Sequence, residues 1–445
     1  MGGLPATLEA LCPGDTSAHN YGDKMPIHSM RLTESVRRKL LQSLLAVSLG
    51  VLAACGGEGD DSPSATVQVA TWTASQSDLN EDLSALGIAK PNPAAFQNQT
   101  FRQIARIAVG GTNIRVKFSN KYGATPLTLD KVRIAKSIGA AAIDVSSDQP
   151  VTFSGATALT LAAGQELWSD PIKLSVDAHA QLAVSIFTQQ ATIATAHRFS
   201  NTSTYVATGD QTSASTLSAA ASSTSSSSYF MSEIDVERTA PTKVIVAFGD
   251  SITDGNASTT NAYLDYPDQL ANRALAKDPN LSVVNAGLGG NRWLNDVFGT
   301  KGVERFASDA LGVSGVSDVI ILLGVNDLGF SLLYPDQVVT SDQVIAAATT
   351  VIAQAKAMNV RVFMGTITPF KGAFYYTDAG EAKRQAINAW IRTNKDIAGV
   401  VDFDKAMQDP SDPLSLPAAW QSGDHLHPND AGYGQMAATV DLSAL

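Results

Sequence analysis

The chain changes its hydrophobic pattern near residue 240. Between about Val67 and Val236, apolar and polar residues alternate with a period of two, as in the run from Ile114 to Phe118. Such alternation is typical of strands with one buried face and one solvated face. Several strands of this kind, separated by short turns, predict an all-β sandwich or jelly roll.

After Thr242, short apolar runs alternate with stretches of helical character. This rhythm predicts an α/β fold in which helices cover both faces of a five-stranded parallel sheet. The predicted strands are Val244–Phe248, Val283–Ala286, Val319–Leu323, Val360–Met364 and Val400–Phe403. The predicted helices include Tyr266–Leu275, Ser341–Ala357, Glu381–Arg392 and a last one from Pro428 to about Asp441.

These patterns predict a β domain over residues 67–240 and an α/β domain over residues 241–445. A serine-rich stretch at residues 211–228 has the composition of a linker. Because strand-like residues follow it, from Tyr229 to Val236, we favour a surface loop inside the β domain.

The N-terminal segment has the features of an export signal. Residues 30–54 contain a basic cluster followed by a mostly apolar stretch of about fifteen residues, too short to span a bilayer. The segment ends in Leu52-Ala53-Ala54-Cys55, which resembles a bacterial lipobox and implies acylation of Cys55; an ordinary signal peptide is the alternative. Residues 1–29 would then be an over-extended start or a disordered leader, and residues 55–66 a flexible tether. We expect an exported protein that is lipid-anchored, with the outer membrane favoured, or else periplasmic or extracellular.

The charge balance limits the partners of the protein. The formal net charge of −11 argues against nucleic acid, since binding to phosphates needs a basic surface. We predict no metal, because the α/β domain has no histidine besides His425 and His427 and no cysteine. We predict no cofactor, because no dinucleotide or phosphate-loop fingerprint is present in the sequence. The oligomeric state stays open.

Ser251 is the candidate nucleophile. It follows the first predicted parallel strand directly, at the sheet edge where ligands collect in open α/β folds. A serine needs a base, and only His425 and His427 lie in the α/β domain. Asp424 is three residues before His427 and can orient its imidazole, as the acid of a catalytic triad does.

Four short motifs resemble those of the SGNH (GDSL-type) serine hydrolases, an esterase and lipase family with a flavodoxin-like three-layer fold. They occur in the family's order along the α/β domain: GDSITD at Gly249–Asp254, NAGLGGN at Asn285–Asn291, GVND at Gly324–Asp327, and DHLHP at Asp424–Pro428. The resemblance implies a serine carboxylester hydrolase that works through an acyl-enzyme.

The resemblance also implies a role for each matching residue. Ser251 matches the nucleophile, His427 the base and Asp424 its partner. The oxyanion hole would consist of the backbone N–H groups of Ser251 and Gly290 with the side-chain amide of Asn326. Gly287 and Gly289 are alternatives to Gly290, which is chosen because it stands five residues after Asn285, as in the family pattern.

The substrate is less defined by the sequence. We name Arg292, Trp293, Tyr375 and Trp420 as substrate-binding candidates. Their expected role is to line an acyl pocket or to stack on a sugar, and the alternative is that they pack beneath loops. A β domain before an SGNH domain, in related exported proteins, goes with deacetylation of polysaccharides, so we expect short acyl esters such as acetylated polysaccharides. Lysophospholipids or thioesters are the alternative substrates, and a non-catalytic surface glycan-binding protein is the alternative function.

Overall fold

The computed structural model describes residues 66–84, 95–192, 194–217 and 222–445. The predicted leader, the predicted signal peptide, the predicted lipidation site Cys55 and all but the last residue of the predicted tether lie outside the described residues.

The first part of the described chain consists of antiparallel strands, as the period-two pattern predicts. Two sheets dominate it, with strand orders β1-β16-β4-β10 and β14-β13-β3-β11-β6-β7. The strands are β1 (Val67–Thr73), β2 (Ser77–Asp78), β3 (Ala95–Arg106), β4 (Thr112–Ser119), β5 (Leu127–Leu129), β6 (Lys131–Gly139), β7 (Ala142–Ile143), β8 (Gln149–Pro150), β9 (Leu159–Leu161), β10 (Glu166–Trp168), β11 (Gln181–Thr192), β12 (Thr195–His197), β13 (Thr204–Thr208), β14 (Ser222–Ser225), β15 (Ser228–Tyr229) and β16 (Met231–Arg238). We call residues 66–240 the β region.

Alternating side chains of these strands form the core of the β region. In β4, for example, Ile114, Val116 and Phe118 are fully buried while the residues between them are half-buried. Part of the serine-rich stretch also joins a sheet, since β14 pairs with β13 in an antiparallel register. The strand expected over Tyr229–Val236 is interrupted at Phe230, whose φ of 58° breaks the alternation between β15 and β16.

The rest of the chain forms the predicted α/β fold. Its five strands are all parallel, in the order β18-β17-β19-β20-β21. They are β17 (Lys243–Gly249), β18 (Leu281–Gly287), β19 (Val316–Leu322), β20 (Arg361–Gly365) and β21 (Gly399–Val401). The helices are α1 (Ser251–Asp254), α2 (Tyr266–Lys277), α3 (Gly302–Phe306), α4 (Val325–Gly329), α5 (Ser341–Ala357), α6 (Asp378–Thr393), α7 (Phe403–Ala406) and α8 (Asp430–Thr439).

The strand order places a topological switch point at β17. The chain leaves β17 for β18 on one side and later returns to β19 on the other, so the loops after these strands diverge above the sheet. In open α/β sheets this crevice, at the carboxyl ends of the strands, is the usual ligand site. Ser251, Gly290 and Asn326 all follow one of these three strands.

The β region packs directly against the parallel sheet, and the described residues belong to one compact unit. Strand β1 lies beside the edge strand β18: Ser282 Oγ donates to the Ala70 carbonyl at 2.7 Å, and Thr73 Oγ1 donates to the Asn285 carbonyl at 2.7 Å. Ser75 Oγ donates to the Ala286 carbonyl at 3.1 Å. The β region therefore contacts the segment that leads into the second glycine-rich motif.

Candidate active site

Ser251 lies at the tight turn between β17 and α1. Asp250 caps the helix, with its Oδ1 accepting the N–H of Ile252 at 3.0 Å. At Gly249 a Cβ atom would come within 2.3 Å of the Leu322 carbonyl oxygen, so only glycine fits there. Gly255 ends the helix at a φ of 99°, which glycine adopts without strain. The turn thus holds a serine, 6% exposed, at the floor of a cavity.

The three predicted triad residues are brought together in space. Ser251 Oγ lies 2.8 Å from His427 Nε2, and His427 Nδ1 lies 2.5 Å from Asp424 Oδ2. Because Nδ1–H donates a hydrogen bond to the carboxylate, Nε2 carries no hydrogen and can accept the serine proton. This arrangement can convert the Ser251 hydroxyl into a nucleophile.

Asp424 is held in its ionised form. Partial burial disfavours the charge, but hydrogen bonds from the His427 ring and the backbone outweigh burial and keep the pKa of Asp424 well below its usual range. The backbone N–H groups of Leu426 and His427 both donate to Asp424 Oδ1, at 2.9 and 2.8 Å. The same carboxylate therefore shapes the loop and orients the imidazole.

His425, the alternative base, points elsewhere. Its backbone has a φ of 63°, and its N–H donates to Gln421 Oε1 at 3.1 Å. Its ring lies against Gly372, not against Ser251. The loop is closed by Ser422 N–H, which donates to the His427 carbonyl at 2.9 Å.

The three glycines of the second motif have different hydrogen-bond partners. Gly287 N–H donates to Asn285 Oδ1 at 2.8 Å, and Gly289 N–H donates to Asp254 Oδ2 at 2.9 Å. Within the described chain, no acceptor is in hydrogen-bond range of Gly290 N–H, and Gly290 lines the cavity. Gly290 is therefore the glycine with a donor to offer to a substrate oxygen.

Asn326 is fixed by contacts on both sides of its amide. Its Nδ2 donates to the Asn291 carbonyl at 3.1 Å, and its Oδ1 accepts the Tyr375 hydroxyl at 3.1 Å. These two partners define which end of the amide is nitrogen. Since an amide nitrogen carries two hydrogens, one remains for an oxyanion in the cavity. Tyr375, a predicted substrate-binding residue, thus lines the cavity and also orients Asn326.

A cavity of about 280 Å³ opens above Ser251 and His427. Most of its wall is aromatic or aliphatic, and Gly289, Gly290, Asn326, Asp254 and Asn256 provide the polar part. The apolar lining consists of Phe199, Phe298, Phe330, Phe374, Tyr375 and Leu426. Phe199 comes from the β region, so both parts of the chain build this cavity.

Three other substrate-binding candidates do not line the cavity. Trp293 is 1% exposed, and its indole Nε1 donates to the Leu323 carbonyl at 3.0 Å. Arg292 is also 1% exposed and lies over the Phe330 ring at 5.5 Å, behind the cavity wall. Trp420 is part of the packing, and its carbonyl accepts the N–H of Asn429. The structure gives these three side chains packing contacts rather than an exposed surface in the cavity.

Two buried carboxyl groups support the turns around the site. Burial raises the pKa of Asp250 to about 7 and that of Asp327 to about 7, against the hydrogen bonds that they accept. Asp327 Oδ2 accepts the N–H of Trp293 at 2.8 Å and so connects the second motif to the third. Both residues act on the backbone, as expected for acids in such turns.

Sequence reasoning missed Phe199, Phe298, Phe330 and Asn256. Phe298 lies under Gly290, where a Cβ atom would come within 2.4 Å of its ring. Asn256 Nδ2 lies 3.3 Å from His427 Nε2. Only Asn256 and Phe330 stand near a motif in the sequence, five residues after Ser251 and four after Asn326, and that proximity was the one available signal.

The part of the chain that the structure describes shows no cluster of three or more metal-ligating side chains. It also holds no helix long and apolar enough to cross a bilayer.

At the edge of the parallel sheet, the contacts of Ser251 with His427 and of His427 with Asp424 form an arrangement that can activate a serine as a nucleophile. Residues 247–435 match the GDSL-like lipase/acylhydrolase family. The chain therefore contains a GDSL-like lipase/acylhydrolase domain over these residues, and that domain marks the protein as an ester hydrolase.

Solved structures and curated proteins add little to this assignment. The chain is similar to a member of the lipolytic G-D-S-L family from Veillonella parvula, with 22% identity, a TM-score of 0.32, and coverage of 44% of this chain and 95% of that one. It is also similar to an acetylxylan esterase from Geobacillus stearothermophilus, solved as a catalytic mutant, with 20% identity, a TM-score of 0.34, and coverage of 44% and 91%. No curated protein matches the sequence.

Proposed function

We propose that the protein hydrolyses carboxylic esters through an acyl-enzyme formed on Ser251. The observation that carries this proposal is the unbroken line of contacts from Ser251 Oγ through the His427 ring to Asp424, at the floor of an apolar cavity. His427 acts as the base, and Asp424 holds its tautomer and stabilises the imidazolium.

In the acylation step, Ser251 Oγ attacks the ester carbonyl carbon as its proton passes to His427 Nε2. The carbonyl oxygen becomes an oxyanion that accepts hydrogen bonds from Ser251 N–H, Gly290 N–H and Asn326 Nδ2. Ser251 N–H is available because it begins α1, where the first N–H groups lack an intrahelical acceptor. When the tetrahedral intermediate collapses, the C–O bond to the alcohol breaks and His427 gives the proton to the leaving oxygen.

Deacylation repeats these steps with water. His427 removes a proton from water, the resulting hydroxide adds to the acyl carbon, and the same three donors hold the second oxyanion. Collapse then breaks the bond to Ser251 Oγ, which regains its proton from His427. Each oxyanion donor of this kind stabilises the transition state by about 3–4 kcal/mol.

The cavity favours esters with a short, apolar acyl or alcohol group. Its volume of about 280 Å³ exceeds what an acetyl group fills, and its lining is mainly aromatic. Burying each further CH₂ group of the acyl chain stabilises the complex by about 0.8 kcal/mol, so kcat/KM should be higher for acyl chains of about four to eight carbons than for acetate. Acetylated polysaccharides are the narrower hypothesis, and lysophospholipids or thioesters the other; a glycan-binding protein without activity is the non-enzymatic one.

The test is a series of p-nitrophenyl esters from acetyl to palmitoyl, assayed on the protein and on Ser251→Ala. Ser258→Ala is the matched control, because Ser258 is also buried and follows the same turn but does not line the cavity. We expect turnover that depends on Ser251 and peaks between butyrate and octanoate. A maximum at acetate would favour acetylated substrates, a maximum at palmitate would favour lipids, and no turnover by folded protein would refute the proposal.

We further propose that the mature protein is lipid-anchored through Cys55, on the sequence signal alone. Metabolic labelling with a radioactive fatty acid should modify the wild-type protein and not Cys55→Ser. Labelling that persists in Cys55→Ser would contradict this.

A further inference from the structure

A buried histidine of the β region contacts the catalytic part of the chain. His197 is 7% exposed and stands at the end of β12. Its Nδ1 lies 2.8 Å from the Ser75 carbonyl oxygen, and its Nε2 lies 2.9 Å from Asp254 Oδ1. Asp254 is the last residue of α1, the helix that begins at Ser251.

The partners of His197 define its protonation. A carbonyl oxygen only accepts, so Nδ1 carries a hydrogen, and Nε2 faces a carboxylate that also accepts. Burial disfavours the charged ring, but the charge of Asp254 and the hydrogen bonds outweigh burial and raise the pKa of His197. The ring is therefore a donor on both sides, and it fixes the position of Asp254 Oδ1.

The other carboxylate oxygen of Asp254 contacts the loop that contains Gly289 and Gly290, which we call the oxyanion loop. Asp254 Oδ2 accepts the N–H of Gly289 at 2.9 Å, one residue before the free N–H of Gly290. Neighbours of His197 contact the same place: Asn201 Nδ2 donates to the Asp254 carbonyl at 2.8 Å, and the Phe199 ring lies against Gly289. A short segment of the β region, from His197 to Asn201, thus contacts both the end of α1 and the start of the oxyanion loop.

We propose that His197 is a positioning residue for ester hydrolysis: through Asp254 it holds Gly289 so that Gly290 N–H faces the developing oxyanion. This inference rests on the proposed function. It gives the β region a part in catalysis, because the donor geometry in the parallel-sheet region depends on a side chain from the antiparallel sheets. His197 touches no reacting atom and acts through Asp254 and the loop.

The first test compares His197→Ala with His197→Gln. The alanine variant leaves Asp254 Oδ1 without its donor, whereas a glutamine amide can still donate to it. A displacement of about 1 Å in a catalytic group can cost about 100-fold in rate, so we expect kcat per folded enzyme to fall about 10- to 100-fold in His197→Ala with KM unchanged. His197→Gln should restore most of kcat.

Two further comparisons separate positioning from stability. The matched control is His179→Asn, a histidine of the β region outside the cavity whose φ of 61° asparagine tolerates; it should keep the wild-type kcat. Asp254→Asn keeps an oxygen for Gly289 N–H and should therefore retain more of the wild-type kcat than Asp254→Ala, which should lose as much as His197→Ala. The double variant His197→Ala/Asp254→Ala should be no slower than Asp254→Ala alone, because both act through one contact.

Circular dichroism and thermal melting give the folded fraction for each variant. A folded His197→Ala enzyme with a kcat within about twofold of wild type would overturn the inference, as would a loss confined to KM or to melting temperature. If His197→Ala yields no folded protein, the comparison of Asp254→Asn with Asp254→Ala tests the inference instead. Equal kcat values for these two variants would overturn it. Ser251→Ala run in parallel distinguishes the failures, since hydrolysis that persists there refutes the proposed function itself.

Discussion

Replacing Asp424 with asparagine should disable His427 by fixing the wrong tautomer of its ring. Asp424 Oδ1 accepts two backbone N–H groups, at 2.8 and 2.9 Å, while Oδ2 accepts the ring Nδ1–H. In Asp424→Asn the amide oxygen satisfies the two backbone donors, so the NH₂ group faces Nδ1. His427 must then carry its proton on Nε2, where it cannot accept the proton of Ser251.

The size of the effect follows from the cost of turning the amide over. The flipped amide restores the correct tautomer but sets its NH₂ group against two N–H donors, and each lost hydrogen bond costs about 1–3 kcal/mol. The total of about 2–6 kcal/mol corresponds to a rate loss between about 30-fold and 10⁴-fold. Because the Asp424 side chain is 45% exposed, water compensates part of this cost, and we expect a loss of about 100-fold.

The assay is kcat for p-nitrophenyl butyrate at pH 8, with the folded fraction measured by circular dichroism. The control is Asp430→Asn, an acid at the start of α8 whose carboxylate accepts the backbone N–H and the hydroxyl of Thr259, away from the triad. Asp430→Asn should keep its activity. A folded Asp424→Asn enzyme within about threefold of wild type would refute the role given to this carboxylate.

Three further changes should have distinct outcomes. Asn326→Ala removes one oxyanion donor and should lower kcat about 10²- to 10³-fold, measured with p-nitrophenyl butyrate; an unchanged kcat would exclude Asn326 from the oxyanion hole. Phe199→Ala opens the cavity wall and should lower kcat/KM about tenfold more for octanoate than for acetate, and an equal effect on both esters would count against an acyl site there. Burial raises the pKa of Glu233 to about 7, so its contribution to stability is present below about pH 4.5 and is lost as the pH rises through about 7. Glu233 should therefore contribute up to about 3 kcal/mol to the fall in the free energy of unfolding across that range, measured by urea titrations, and Glu233→Gln should remove that part of the fall; a profile that Glu233→Gln leaves unchanged would contradict this.

Much of the fold could be predicted because the hydrophobic pattern of each strand matches the burial of that strand in the structure. The runs Val244–Phe248 in β17 and Val319–Leu322 in β19 are apolar throughout, as strands buried on both faces must be, and the strands of the β region alternate because one face is buried. Ser251 could be placed because it follows a buried strand at the sheet edge. His427 was a candidate because the α/β domain has only two histidines, and Asn326 was proposed only through the resemblance of its motif.

The remainder of the site depends on contacts that no local pattern encodes. Phe199 and His197 lie in a region whose period-two pattern tells which faces are buried, but not against which partner they pack. Trp293 follows the glycine-rich motif, and its position in the sequence left a place in the pocket and packing beneath a loop equally open; in the structure its indole donates to the buried Leu323 carbonyl. The positions of these side chains depend on long-range packing between the β region and the parallel-sheet region. Local sequence patterns do not encode that packing, so it becomes visible only in the folded structure.

The central claim is that Ser251 forms the covalent bond to substrate, and labelling tests it most directly. The protein, Ser251→Ala and Ser258→Ala would each be treated with an alkyl fluorophosphonate, digested and examined by mass spectrometry. We expect one phosphonyl group on the Ser251 peptide of the wild-type and Ser258→Ala proteins, complete loss of ester hydrolysis on labelling, and no adduct in Ser251→Ala. An adduct on another residue, or ester hydrolysis that survives in Ser251→Ala, would contradict the account.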